Sequence, residues 1–389
     1  MRMIQKLRSV MFNAPEWVTV GVVLAIVLAR LAVGSFDPGR FILAERSRVV
    51  LDEWVHPVTL YDQGYDGQFF YRYALAPFSA DKPYGKKVGD MGVKVDIPTY
   101  RRGRVVYPLA AWVLALGQPW AIPWTLILVN ILAMVWLVHL TRKIAIHFNQ
   151  PAWLAWLPLV IGGLWMSLAR DLSDLPACAL LAWAWWSLLD DRRWMFLLAA
   201  TLLLYCREAS AFHLFPAFVV LAIREIRLRH WLATLWLGIP WLMLAGWTLF
   251  LRHLYPVGQP TLSSRLAAHF DWPFRGMVQG LVQDVFAAKI LALVWVLGVV
   301  ATGLWVFLVR RRHLRWTWMT VALPVNIILW MAYDVPIYGD MWSFLRVLAP
   351  VILMTFYFII EQGVRIPRWL AGLSAVTAAS VVWLTIWQA

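Results

Sequence analysis

The residues best equipped for chemistry are two carboxylates, Asp62 and Asp66, in the aromatic segment YDQGYDGQFFYRYALAPF at 61–78. A carboxylate sheltered among rings can take a proton from a hydroxyl, the work of a general base. Four residues apart, the two acids share one face if the segment is helical, although Gly64 between them weakens such a helix. About thirty residues on, Arg101, Arg102 and Arg104 stand just before Tyr107-Pro108. The guanidinium fork matches phosphate oxygens, so this run is a candidate phosphate site. Similar residues recur downstream: Arg170, Asp171 and Asp174 in RDLSDLP, then Arg207 and Glu208 in CREAS with His213 nearby. Asp334, Tyr338 and Asp340 precede a late apolar stretch, and Arg346 lies inside it.

Each of these residues also has a structural reading. Asp66 precedes Gly67 and a helical pattern from Gln68, the place of a helix N-cap. Phe70, Tyr73 and Ala74 recur at helical spacing and suit an apolar face lying on a bilayer. Arg170 with Asp171 or Asp174, and Arg207 with Glu208, suit ion pairs between helix ends. Arg346 needs an anionic partner at that depth, for which a lipid phosphate and Asp340 compete. His213 reads as a satisfied core histidine, and the 101–104 run also suits a plain basic interfacial patch. No His, Cys and carboxylate cluster has metal-ligand spacing. A divalent metal is compatible with the acids but is not indicated. There is no phosphate-binding Gly loop, dinucleotide fingerprint or nucleophile elbow.

The elements that must position these residues are membrane helices. The 389 residues are 62% hydrophobic and 14% charged, against about 25% charged in a soluble domain. The mean hydropathy is +0.67. Apolar runs of about eighteen residues mark spanning helices and exclude a β-barrel, whose strands alternate over about ten. Spans are expected near 17–36, 120–141, 152–169, 175–189, 194–206, 211–223, 231–251, 287–309, 316–333, 343–361 and 369–387, eleven in all. The first is too long for a signal-peptide core and is expected to stay as an anchor. Residues 105–117 are too short to cross and are expected to be re-entrant or interfacial. The runs between 175 and 223 are short and must tilt or pack among neighbours.

The net charge of +14 suggests nucleic acid in a soluble protein. Here the basic residues flank apolar runs, as the positive-inside rule requires, so nucleic acid is not an expected partner. With the N-terminus inside, the inner ends carry sixteen basic and five acidic residues. The outer ends after the first loop carry seven of each. Residues 37–104 then form a long outer loop with eleven basic and nine acidic residues, a length that crosses regardless of charge. A second long outer loop covers 252–286, where Pro256, Gly258, Pro260 and Pro273 mark turns, and Trp272 and Phe274 suit contact with the membrane surface. Arg30, near the outer end of the first span, is expected to snorkel. Cys178 and Cys206 do not indicate a disulfide framework. The expected fold is therefore one all-α polytopic membrane domain over 1–389, with the polar candidates gathered on its outer side.

YDGQFFYRYALAPF followed by YRRGRVVYPLAAW resembles bacterial members of the GT-C glycosyltransferase superfamily. The layout is similar to the first loop of the mannosyltransferases that build glycosylphosphatidylinositol anchors. RDLSDLPACALLA (170–182), CREAS (206–210) and SFLRVLAPV (343–351) resemble later segments of that superfamily. The resemblance implies eleven to thirteen spans, a catalytic acid in a large first outer loop, and a polyprenyl-phosphate sugar donor. It also implies a lipid-linked or surface glycan acceptor, and a site on the extracytoplasmic side of a bacterial cytoplasmic membrane. Asp66 is the best match to the family's acid and Asp62 the second. Many members carry a tight acidic pair where this chain spaces the two by three residues. The substrate-binding candidates are Arg101, Arg102, Arg104, Tyr107, Arg170, Asp171, Asp174, Arg207, Glu208, Tyr338, Asp340 and Arg346. The rival class is a transporter or lipid flippase using the same polar cluster as a gate. Against it, no inverted repeat or pair of broken helices is visible.

Overall fold

In the computed structural model the described residues are 15–49, 58–78, 95–255, 270–283, 287–314 and 317–387. Helix α1 (Pro15–Val33) leads into the first loop. That loop holds the short α2 (Gly39–Ile42), a parallel pair of two-residue strands, β1 (Ala44–Glu45) and β2 (Leu60–Tyr61), then α3 (Gly67–Leu75) and α4 (Pro98–Arg102). After it come α5 (Val106–Leu114), α6 (Ile122–His147), α7 (Gly162–Ala169), α8 (Asp174–Leu189), α9 (Arg193–Cys206), α10 (Ala211–Arg227) and α11 (Ile239–Leu254). The chain ends with α12 (Arg275–Gln283), α13 (Ala287–Arg310), α14 (Trp318–Met331), α15 (Val335–Gly339), α16 (Met341–Glu361) and α17 (Arg368–Trp387).

Among the described residues seven helices are long and apolar enough to cross a membrane: Pro15–Val33, Pro119–His147, Glu208–Arg227, Thr234–Leu254, Ala287–Arg310, Met341–Glu361 and Arg368–Trp387. An eighth is obtained if Ala152–Val160 and Gly162–Ala169, bent by 59° to one another, form one span. The run expected at 152–169 is thus broken, by Pro158 within its first half and an extended Ile161 at the junction. The runs at 174–189, 193–206 and 318–331 remain shorter apolar helices.

Burial sorts these helices into an inner and an outer set. Helix α16 forms the axis, with Leu348 through Ile360 buried without interruption, and α8 is buried over most of its length. Helices α1, α11 and α17 lie outside and expose Trp17, Leu28, Leu242, Leu249, Phe250 and Trp383. Apolar faces of this extent are stable against lipid and unstable against water.

Gly163 allows the inner set to close. A Cβ there would sit 2.1 Å from the Leu345 carbonyl oxygen and 2.8 Å from the Arg346 Cα, so α7 packs backbone to backbone on the turn of α16 that carries Arg346. At Gly67 a Cβ would meet the Arg170 carbonyl oxygen at 2.4 Å. The start of α3 is therefore seated directly on the junction between α7 and α8.

Three expectations change. Helix α3 does not lie on the bilayer: every residue from Gly67 to Leu75 is buried, and Phe70 packs edge-on against Tyr107 at 5.3 Å. Arg30 does not snorkel. It is buried, with Nη2 donating to the Arg40 carbonyl at 2.9 Å and Nη1 donating to the Thr385 carbonyl, and it ties α1 to α2 and α17. Residues 61–66 are not helical, so Asp62 and Asp66 share no helix face. In the second long loop Trp272 and Phe274 are exposed, while Pro256, Gly258 and Pro260 lie outside the described residues. Cys178 and Cys206 are buried free thiols.

Candidate functional site

Asp66 occupies the N-cap position of α3 with helical dihedrals, and its side chain makes no cap bond. Its carboxylate turns instead to two arginines from distant parts of the chain. Arg101 Nη1 donates to Oδ1 at 2.7 Å, and Arg346 Nη1 and Nη2 both donate to Oδ2 at 3.2 Å. Burial by itself would raise the pKa of this carboxyl. Arg346, Arg101 and Arg104 outweigh that effect and hold it well below the usual carboxylate range. Asp66 is therefore ionised, and it is clamped.

Both clamps are themselves braced. Arg101 forms a fork with Asp96, Nε to Oδ1 at 2.9 Å and Nη2 to Oδ2 at 2.8 Å, and lies 4.1 Å from the centre of the Phe69 ring. Arg346 sits over the Tyr65 ring at 5.1 Å and approaches Asp174 Oδ2 at 3.8 Å. Tyr65 donates to Asp340 Oδ2 at 3.4 Å, and Asp340 in turn caps α16 by accepting from the Trp342 and Ser343 amides. Of the protein's own acids, then, Arg346 meets Asp66 and not Asp340, which is engaged as a helix cap.

The remaining pairs differ from those the spacing suggests. Asp174 meets Arg207, not Arg170. Glu208 meets Arg104, not Arg207, in a bidentate pair with both bonds at 2.9 Å. Arg104 also donates to the Tyr100 hydroxyl and lies over that ring. The network therefore runs from Asp96 through Arg101, Asp66, Arg346 and Asp174 to Arg207, and Arg104 with Glu208 lies beside it.

Arg170 has no such partner. It is 5% exposed, packs 4.6 Å from the centre of the Trp342 ring, and leaves Nε and Nη1 without an acceptor among the described residues. Burial and the nearby Arg40 lower its pKa to about 10, so it remains a cation at neutral pH. Asp340 lies near enough to act on its charge without pairing with it, and a buried guanidinium with no ion pair among the described residues is costly.

Six of the residues singled out in the sequence lie apart from this network. Asp62 is exposed. Arg102 donates to the Tyr255 hydroxyl at 2.7 Å and to the Pro77 carbonyl at 3.0 Å, which holds the loop to α11. The Tyr107 hydroxyl donates to the Leu126 carbonyl at 3.1 Å and accepts from Asn130 at 2.8 Å. Asp171, fully buried beside them, has its carboxyl pushed well above the usual range by burial, which Arg30, Tyr107 and Asn130 only partly offset. Tyr338 donates to the Trp330 carbonyl. His213 bonds Asn326 in the core, as its apolar surroundings in the sequence suggest.

Sequence reasoning missed Asp96, Tyr65 and Tyr100 as members of the network. Their one signal was position, since each lies within five residues of Asp66, Arg101 or Arg104. Asp52 and Glu53, also in the first loop, lie outside the described residues. Among the described residues no three His, Cys, Asp or Glu are grouped to hold a metal ion. No family model, curated protein or solved structure matches this chain.

Proposed function

We propose that the chain is a membrane glycosyltransferase moving a sugar from a polyprenyl-phosphate donor to an acceptor hydroxyl at the outer face of a cytoplasmic membrane. The seven long spans, the bent pair and the three shorter apolar helices then make eleven crossings, with the first loop outside. The observation that carries this reading is an ionised carboxylate set among arginines, next to a buried arginine that makes no ion pair among the described residues. An acid and an unmatched positive site side by side are what transfer from a phosphate leaving group requires.

In the reaction the acceptor oxygen bonds to the anomeric carbon as the bond from that carbon to the phosphate oxygen breaks. Asp66 takes the acceptor proton, and the polyprenyl phosphate leaves with the bonding pair. Arg170 and Arg346 stabilise the charge that develops on it. In the resting chain Asp66 is occupied by Arg101 and Arg346 and is a poor base. A phosphate draws Arg346 away, and release of that clamp raises the pKa of Asp66 toward the working range. The donor thus arms the base it uses. The lipid tail explains the membrane scaffold, because each buried CH₂ adds about 0.8 kcal/mol and keeps the donor in the bilayer.

The test is binding of a polyprenyl phosphate to the full chain in nanodiscs, read by thermal shift. Wild type is expected to be stabilised, and Arg170→Met to lose most of that shift. An equal shift in both proteins would remove the phosphate site and the reading with it.

A further inference from the structure

Helix α12 turns an apolar stripe away from the protein. Four residues advance about 400° around a helix, so Val278 and Val282 form one stripe and Gly276 and Gly280 a second, roughly 200° from it. The glycine stripe is the one that meets the protein. A Cβ at Gly276 would lie 2.2 Å from the Tyr333 carbonyl oxygen, and one at Gly280 2.5 Å from the Tyr338 Cβ. On the other side Val278 and Val282 are 56% and 77% exposed, and the exposed Trp272 and Phe274 lead into the helix. Arg275 and Gln279, exposed as well, run along the edge between the two stripes. We propose that α12 lies in the headgroup layer of the membrane, with its valine stripe among the upper acyl chains and Arg275 and Gln279 along the water edge.

A helix in water puts its apolar stripe on the core and its polar residues outside. Here the apolar stripe is outside, an order that is stable where the surrounding medium is itself apolar. Continuity with the lipid-facing surface favours lipid over a second protein. Lys289 Nζ donates to the Gly280 carbonyl at 2.8 Å, which sets the first turn of α13 against α12. Helix α13 is long and apolar enough to cross the membrane, and it exposes Ile290, Val294 and Leu297. Tryptophan, the type of the exposed Trp272, is enriched at the bilayer interface. At nine residues, α12 is about 13 Å long against a core of about 30 Å, so it can lie along the membrane but not cross it. The same lysine donates to the Gly339 carbonyl at 2.9 Å, and the Phe274 amide donates to the Met331 carbonyl at 2.7 Å. Helices α12 and α15 are thus one unit, and Asp340, which follows α15, caps the helix that carries Arg346. The depth at which α12 lies fixes the depth of that helix start, whichever reaction the site performs.

The test places one NBD fluorophore at a time on the full chain in nanodiscs, at Val278→Cys, at Gln279→Cys and, as a reference midway along a spanning helix, at Leu297→Cys. Cys178 and Cys206 are buried, so the label goes to the introduced thiol. Val278→Cys is expected to lose most of its emission to a nitroxide near the top of the lipid chain, and Leu297→Cys to one near the chain's end. Gln279→Cys is expected to lose its emission to aqueous iodide instead. Quenching of Val278→Cys by iodide and not by lipid puts the stripe in water and overturns the proposal. A depth profile equal to that of Leu297→Cys overturns the interfacial position. Shielding of Val278→Cys from both quenchers means that protein covers the stripe, a second copy if the shielding is lost when each disc holds one chain, and it overturns the lipid as occupant.

Discussion

Removing Asp66 and Arg346 singly and together measures the link on which the site depends. The substitutions are Asp66→Asn, Arg346→Met and the double variant. Asp66 accepts three bonds, one at 2.7 Å from Arg101 and two at 3.2 Å from Arg346. Removing one member of a buried ion pair costs roughly 3–5 kcal/mol. Two features reduce that figure here. The side chains of Asp66 and Arg346 are 19% and 14% exposed, so water screens part of the interaction. Each survivor also keeps a partner, Asp174 at 3.8 Å for Arg346 and Arg101 at 2.7 Å for Asp66. We therefore expect about 2 kcal/mol for each single change and a coupling of about 1–2 kcal/mol between them. Equilibrium unfolding in bicelles reads all four corners of the cycle. If the two changes add to within about 0.5 kcal/mol, the residues are not coupled and the clamp does not exist.

Two further outcomes follow from the same geometry. Gly67→Ala places a methyl 2.4 Å from the Arg170 carbonyl oxygen and 2.8 Å from that of Ile42, both backbone; it is expected to destabilise by about 1–3 kcal/mol, and an unchanged unfolding midpoint would contradict the packing of α3 on that junction. Asp171, with its raised pKa, keeps its proton in the folded chain above the pH at which the unfolded chain loses it. Its contribution to stability is therefore full below about pH 4 and falls as pH rises toward neutral, by up to about 1.4 kcal/mol per pH unit. Asp171→Asn should flatten that part of the melting-against-pH curve, and a curve parallel to wild type counts against the buried acid. Asp66, with its lowered pKa, acts in the opposite sense: its contribution is present above about pH 4 and fades only in strong acid.

The helices were largely legible in the sequence and the site only in part. Apart from 152–169, which falls on a bent pair, the expected apolar runs fall on helices, because hydrophobic length decides which segments leave water. The bend at Ile161 was not visible, since Pro158 and the Gly162-Gly163 pair sit in a run that is apolar throughout. The residues of the site were mostly visible as charges at span ends, but their partners were not. Arg170 and Asp174 are neighbours in sequence, yet the helical start of α8 turns Asp174 toward Arg207. Asp66 and Arg346 are 280 residues apart and meet only because Gly67 and Gly163 let three elements touch. The burial of α3 was missed for a similar reason. A short amphipathic pattern shows that one face must be covered, and it does not reveal whether lipid or α5 and α6 cover it.

The most direct measurement is transfer itself, with purified chain in nanodiscs, a polyprenyl-monophosphate hexose as donor and the native membrane glycolipid fraction as acceptor. Wild type is expected to form product. Asp66→Asn is expected to bind the donor as well as wild type and to form product about 10²–10⁴-fold more slowly. Product formation by Asp66→Asn at the wild-type rate would contradict the account.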